Sequence, residues 1–323
     1  MNFYRELNAI MTCDMGGRGL RLPAPDLPAV ARELLAARGV LILTGFPVLA
    51  ADGTVRGETD GPIGAAEIAC ALARLGIPTT VAAEELHLPL LRAAVAAFAG
   101  EDVPIRGAAV PAAGVVPASY LAAGTPVEVR QISAAAPVDT AAFSHLIAIE
   151  RPGKAADGHF HSMKGRILDA DIIDTDPVFD RFPGVKIAVG DGGNELGMGK
   201  FIAEIAETVE FGAQIAAKSA ADHVLCAGVS NWWGMGLAAL LSCAAGRDLL
   251  AAPETESLAL RAVVSAGAVD GCAGKSDLSV DGLPSAVHLE RRALVRALLD
   301  GHLPQNGMAH HKISDPVAPA RTL

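Results

Sequence analysis

The sequence offers no disulfide framework. Its five cysteines, Cys13, Cys70, Cys226, Cys243 and Cys272, are scattered, odd in number and form no CxxC. That argues against a cysteine zinc site and suits a reduced compartment, so a cytoplasmic location is expected. A basic surplus is also missing. The formal net charge is −10, and without a basic face to neutralise phosphates no nucleic-acid partner is expected. An anionic small substrate would have to be met by a few local Arg or Lys residues. The first residues, MNFYRELNAIMTCDMGG, carry Glu6 and Asp14 and no apolar run, so neither a signal nor a transit peptide is expected. Residues 225–246 lack charge, but Ser230, Asn231 and several glycines interrupt them. A buried strand, a loop and a core helix are expected there rather than a membrane span. There is no GxSxG, no legible Cys–His pair and no internal repeat, which removes the common nucleophile arrangements.

What is present is a chain of 323 residues, 51% hydrophobic and 19% charged, long enough for a large α/β domain with a well-buried core. Apolar runs at 39–45, 77–83, 144–150, 185–190 and 222–229 read as buried strands. Helical periodicity occupies 26–37, with Asp26 as N-cap, then 64–76, 84–99, 201–220, 235–245, 254–266 and 286–300. The alternation predicts an α/β fold, a mostly parallel sheet flanked by helices. A single domain over 1–301 is expected, with an irregular Pro/Gly-rich excursion at 100–127 and a loosely ordered tail at 302–323.

Each strand runs into Gly, Pro and polar residues: TGFPV and ETDGPIGA, ERPGKAADGHFH, GDGGNELGMGK, SNWWGMG. In open parallel sheets ligands bind outside the carboxyl ends of the strands, so these segments are expected to share one site. VGDGGNELGMGK, 189–200, falls short of both phosphate signatures. A Walker loop needs glycine at Asn194 and Ser or Thr at Phe201, and a dinucleotide fingerprint needs glycine at Glu195. No nucleotide cofactor is expected. Its five glycines would instead let backbone N–H groups face an anion, helped by a helix starting near Gly199.

Glu58 and Asp60, in GETDGP, suit a hard divalent cation or acid–base work, or else a capped turn. Asp191 and Glu195 repeat the theme. MGGRG places Gly16, Gly17 and Arg18 where a second nest and a bidentate guanidinium could meet a carboxylate. Glu150-Arg151 reads as either an internal ion pair or part of the site. His159 and His161 read as surface residues. Ser230, Asn231 and Trp232 offer polar contacts and an aromatic wall, with Trp as core the alternative. Asp270 and Asp281 sit in glycine-bounded turns.

Taken in order, MGGRG, TGFPV, ETDGPIGA, IERPGKAADG, VGDGGNELGMGK, GVSNW, GAVDG and SVDGLP resemble the D-glutamate cyclase family over residues 15–284. Trp233 stands where the family pattern has glycine, and HFHS (159–162) replaces a Tyr- and Asn-bearing stretch. The resemblance implies a hydro-lyase converting D-glutamate to 5-oxo-D-proline and water, with a divalent metal, Mn²⁺ or Mg²⁺. For that chemistry Glu58, Asp60, Asp191 and Glu195 would hold the metal, and Asp60, Asp191, Asn194 and Glu195 would be the catalytic groups. Arg18, Arg151 or Lys200, with Gly16, Gly17, Ser230 and Asn231, would bind the small anionic amino acid. A Mg²⁺- or Mn²⁺-dependent phosphatase or phosphoryl-transfer enzyme, and a non-catalytic amino-acid-binding protein, are the alternatives. Oligomeric state, including a homo-oligomer, is open.

Overall fold

The computed structural model describes residues 2–107, 124–134 and 138–303. In chain order the strands are β1 (Val40–Thr44), β2 (Pro47–Leu49), β3 (Val55–Gly57), β4 (Thr79–Ala83), β5 (Ile105–Arg106), β6 (Val127–Gln131), β7 (His145–Ile149), β8 (Val185–Gly190), β9 (His223–Cys226), β10 (Ser279–Val280) and β11 (Leu283–Pro284). The helices are α1 (Phe3–Met11), α2 (Leu27–Leu35), α3 (Pro62–Arg74), α4 (Leu88–Ala99), α5 (Asp176–Arg181), α6 (Ile202–Thr208), α7 (Gly212–Ile215), α8 (Trp232–Ala245), α9 (Pro253–Ser265) and α10 (Ser285–Asp300).

Seven strands form one sheet in the order β5-β6-β4-β1-β7-β8-β9, and every pairing within it is parallel. From β1 the chain builds outward to one side through β4, then crosses to β7 and builds outward on the other. The strand order therefore reverses between β1 and β7, the switch point at which open α/β sheets bind ligands. Two small antiparallel hairpins, β2–β3 and β10–β11, lie outside the sheet.

Strands buried on both faces explain the continuous apolar runs. Val40 and Ile42 face a layer containing α1, α2, α3, α4, α8, α9 and α10, whereas Leu41 and Leu43 face the short helices α5, α6 and α7. Arg292 of α10, almost fully buried, joins Glu67 of α3 (2.5 Å) to Glu256 of α9 (2.6 Å). Removing either carboxylate would leave part of a buried charge unpaired.

The Asp26 cap is present, its carboxylate accepting from the Ala29 N–H at 3.0 Å. One expected element is different. In place of a single helix over 201–220 there is a three-residue turn of 3₁₀ helix at Gly199–Phe201, then α6, then α7. The break falls at Phe211, which has φ 60, and Gly212, whose position against the Ile205 carbonyl leaves no room for a side chain. Residues 225–246 divide into the end of β9, a loop and α8. No helix among the described residues is long and apolar enough to cross a membrane. The excursion at 100–127 and the tail fall largely outside the described residues.

Candidate active site

At the switch point β1 ends in Thr44-Gly45 and β7 runs into Glu150, and the Gly45 N–H donates to the Glu150 carbonyl at 3.1 Å. Glu150 adopts φ 41, a left-handed conformation that costs a non-glycine residue about 1–2 kcal/mol. Such strain collects at functional sites. Asp191 follows β8 directly. Asp60 lies on the turn between β3 and α3. One carboxylate oxygen from each of Asp60, Glu150 and Asp191 lies within 4.8 Å of the others, and all three residues are buried.

Around this triad stand Glu58 and Asp281, also buried. A bridge between Glu58 and Val269, and the Thr59 hydroxyl donating to the Ser279 carbonyl at 2.9 Å, draw the GAVDG and SVDGLP segments to the same edge. Asp281-Gly282 turns the β10–β11 hairpin with φ 56 and 74, as a two-residue hairpin loop demands. Arg18 reaches into the cluster from the MGGRG loop, paired with Asp191 and, at 2.7 Å, with Asp281.

The carboxylates divide into two kinds. Four are bound by backbone N–H groups. Glu195 folds back into its own loop and accepts from Asp191 (3.1 Å), Gly192 (2.7 Å) and Gly193 (2.7 Å). Any side chain at Gly190 would collide with this carboxylate, and Gly193 turns at φ 89. The loop is therefore a nest, but its anion is Glu195 rather than an external one. Asp14 similarly accepts from Arg18 (3.0 Å) and Gly19 (2.9 Å), and Asp270 from Cys272, Ala273 and Gly282. Asp60 accepts from Asn231 (2.7 Å), Ser230 and Gly61 (both 3.0 Å). Its partner Asn231 accepts in return from Gly61 (2.9 Å) and Gly64 (2.8 Å). The first turns of α3 and α8 thus cap one another.

The second kind is exposed to the cluster itself. Glu58 Oε1, Glu150 Oε2, Asp191 Oδ2 and Asp281 Oδ2 have no hydrogen-bond partner among the described residues. Buried polar atoms are normally paired, so four such acceptors around one point mark a place for a cation or substrate. Oxygen-only donors suit a hard divalent ion, and the triad can hold one.

Electrostatics agree. Burial, then Glu150, Asp281 and Asp60, pushes the Glu58 carboxyl well above the ordinary range. Burial and Asp281 do the same to Asp60, and burial with Glu195, Asp60 and Asp281 to Glu150. Burial alone would lower Arg18, but Asp281, Glu150, Cys272 and Asp60 outweigh it and hold the guanidinium charged.

Other expected site residues lie elsewhere or are otherwise engaged. Arg151 is committed to Glu84 through two nitrogens (3.0 and 2.7 Å) and to Thr175 (2.7 Å), so the pairing read for Glu150-Arg151 is instead Arg151–Glu84. The Lys200 ammonium donates to the Asp222 carbonyl (3.3 Å) at the surface. Gly16 and Gly17 are exposed, flanking Arg18 on a loop wound on Asp14. Asn194 spends its amide N–H on the His161 carbonyl (2.8 Å), leaving Oδ1 free. His161 is buried against Asp157, whereas His159 is exposed and bound to Asp169. Trp232 and Trp233 are core, their indole N–H groups donating to His288 and to the Cys226 carbonyl. Ser230 keeps a buried, unpartnered hydroxyl. Of the two readings of Glu150-Arg151, Glu150 takes the one within the site, and Thr44 is an addition. Both are the residues at which an apolar strand stops being apolar, a signal present in the sequence.

Fold and cluster together define the class: a parallel α/β protein with a buried acidic, cation-competent site at its switch point. The family model for the C-terminal region of D-glutamate cyclase-like proteins matches residues 7–296, and the chain belongs to that family. It is 31% identical over 333 aligned positions to D-glutamate cyclase, mitochondrial, of Homo sapiens, a match covering 92% of this chain and 51% of that protein. The chain thus spans about half the length of that relative.

Proposed function

We propose that the protein is a hydro-lyase that cyclises D-glutamate to 5-oxo-D-proline and water. The observation carrying this is the buried triad Asp60–Glu150–Asp191 with unpartnered oxygens on Glu150 and Asp191, in a member of the D-glutamate cyclase-like family. A divalent cation held by the triad, Mn²⁺ or Mg²⁺, would act as a Lewis acid toward the γ-carboxylate.

The chain's own residues do the rest. Cyclisation forms a C–N bond, breaks a C–O bond and moves two protons from the ammonium to the departing oxygen. The free oxygen of Asp281 accepts from the ammonium. Glu58, buried beside the triad with an unpartnered oxygen, would return one to the departing oxygen. Arg18, the partly exposed cation of the cluster, takes the α-carboxylate and folds the substrate toward attack. The scattered free thiols support a reducing compartment such as the cytoplasm.

The test is release of 5-oxoproline from D-glutamate, with L-glutamate and phosphoesters in parallel, after chelation and after adding back Mn²⁺ or Mg²⁺. Metal-dependent product from D-glutamate supports the reading. Phosphoester hydrolysis alone would make the protein a phosphatase, and binding without turnover an amino-acid-binding module. Against the phosphatase stands Glu195, which already fills the nest that a phosphate would need.

A further inference from the structure

Thr44 ends the central strand β1, opposite Ile149 of β7 in the sheet register, one residue from Glu150. Its carbonyl accepts from Arg151 (3.3 Å), which fixes the backbone. Its hydroxyl is fully buried and has no partner among the described residues. Valine has the same shape and would carry no such orphan, so a hydroxyl here is costly unless something outside the fold takes its hydrogen bond. Gly61 packs directly against it. A Cβ at that position would stand 2.8 Å from the Thr44 oxygen and 2.9 Å from the Glu150 Cβ, so the hydroxyl and the Glu150 side chain meet at one point.

Donors are scarce at this edge. Glu58, Glu150, Asp191, Asn194 and Asp281 each present an unpartnered oxygen, and those suit an ammonium or a cation. A glutamate also brings two carboxylates, which need donors. Arg18, at the more open end with 17% side-chain exposure, can serve one of them. The other faces the triad at the closed end, where, besides a cation, the unpartnered hydroxyls are those of Thr44 and, next to Asp60, Ser230.

We propose that Thr44 is a catalytic residue whose hydroxyl donates a hydrogen bond to the γ-carboxylate of the substrate. The proposal rests on the cyclase reading. As the amine attacks, the C–N bond forms and negative charge grows on the γ-oxygen. The C–O bond then breaks, and the two ammonium protons leave in water. Thr44 transfers no proton; it holds the oxygen on which charge develops, as donors to an oxyanion do.

The experiment compares wild type, Thr44→Val and Thr44→Ser for D-glutamate turnover with Mn²⁺, and for melting temperature without metal or substrate. Expected is a fall in kcat of about 10²-fold or more in Thr44→Val, the range for losing one oxyanion donor. Its melting temperature should be unchanged or higher, and Thr44→Ser should stay within a few-fold of wild type. A Thr44→Val enzyme as fast as wild type overturns the proposal. So does a slow Thr44→Val whose melting temperature drops and is restored in Thr44→Ser, because the hydroxyl would then be serving the fold. A wild type that releases no 5-oxoproline removes the cyclase reading, and Thr44's role with it.

Discussion

Asp191 faces two ways: one oxygen meets Arg18 and the other has no partner among the described residues. Asp191→Asn keeps the acceptor toward Arg18 and removes the charge. It should lower 5-oxoproline release by at least about 10²-fold, roughly 3 kcal/mol in the barrier, with an unchanged circular dichroism spectrum; an equal rate would take Asp191 out of the reaction. Glu195 should behave in the opposite manner. Glu195→Gln turns an amide NH₂ toward backbone donors, leaving at least one unpaired, so the unfolding free energy should fall by about 1–3 kcal/mol, read as a lower urea midpoint. In the sequence these two acids look equivalent, four residues apart in one glycine-rich loop. Only the chain's return on itself shows that one is wrapped in N–H groups and the other is free. Glu150 was obscured for a related reason. Glu150 is the nearest acid in sequence to Arg151, but Arg151 pairs with Glu84, 67 residues away, and long-range pairings leave no local trace.

For elements, periodicity carried most of the information. The five strands expected from apolar runs are all in the parallel sheet, because strands covered on both faces must be apolar throughout. The short strands β5 and β6 were missed. β6 alternates buried and half-exposed residues, and β5 has only two residues. The failed helix at 201–220 has suitable composition, but its backbone turns at Phe211, φ 60, and packs Gly212 back onto Ile205 and Ala206 of α6. The mutual capping of α3 and α8 was equally invisible, since Asp60 and Asn231 lie far apart in sequence. It gives a clear expectation. Asn231→Ala orphans the Gly64 N–H and leaves the Gly61 N–H to Asp60 alone, and should cost about 1–3 kcal/mol in urea unfolding. A shift below about 0.5 kcal/mol would show that the caps contribute nothing.

At the scale of the molecule, pH and metal act through different groups. Burial lowers His87 to about 4, with Arg151 adding to that and Glu84 opposing it. A depressed pKa means that the unfolded chain binds the proton first. The contribution is therefore whole above about 6.5 and lost as pH falls toward 4, on the order of 3 kcal/mol. The raised carboxyls of Glu58, Asp60 and Glu150 act in the reverse sense, favouring the fold most at low pH. Comparing wild type with His87→Phe at pH 7 and pH 5 isolates the histidine, and the wild type should lose more stability between them. Mn²⁺ should raise the melting temperature by a few degrees, more at pH 8 than at pH 5 because protons compete for the same oxygens. Asp191→Asn should abolish that shift. An equal shift in the variant would place the ion elsewhere.

Asp14, Glu195 and Asp270 shape the rim from within, while Glu58, Glu150, Asp191 and Asp281 each keep a free oxygen; Asp60 is wrapped in N–H groups and is also a corner of the triad. The rim is a frame with interchangeable fittings. Exchanging a free acid changes what the crevice can hold without asking any loop to find a new path, so related chains could diverge in substrate while keeping the same outline. A change at Asp60 would alter both at once.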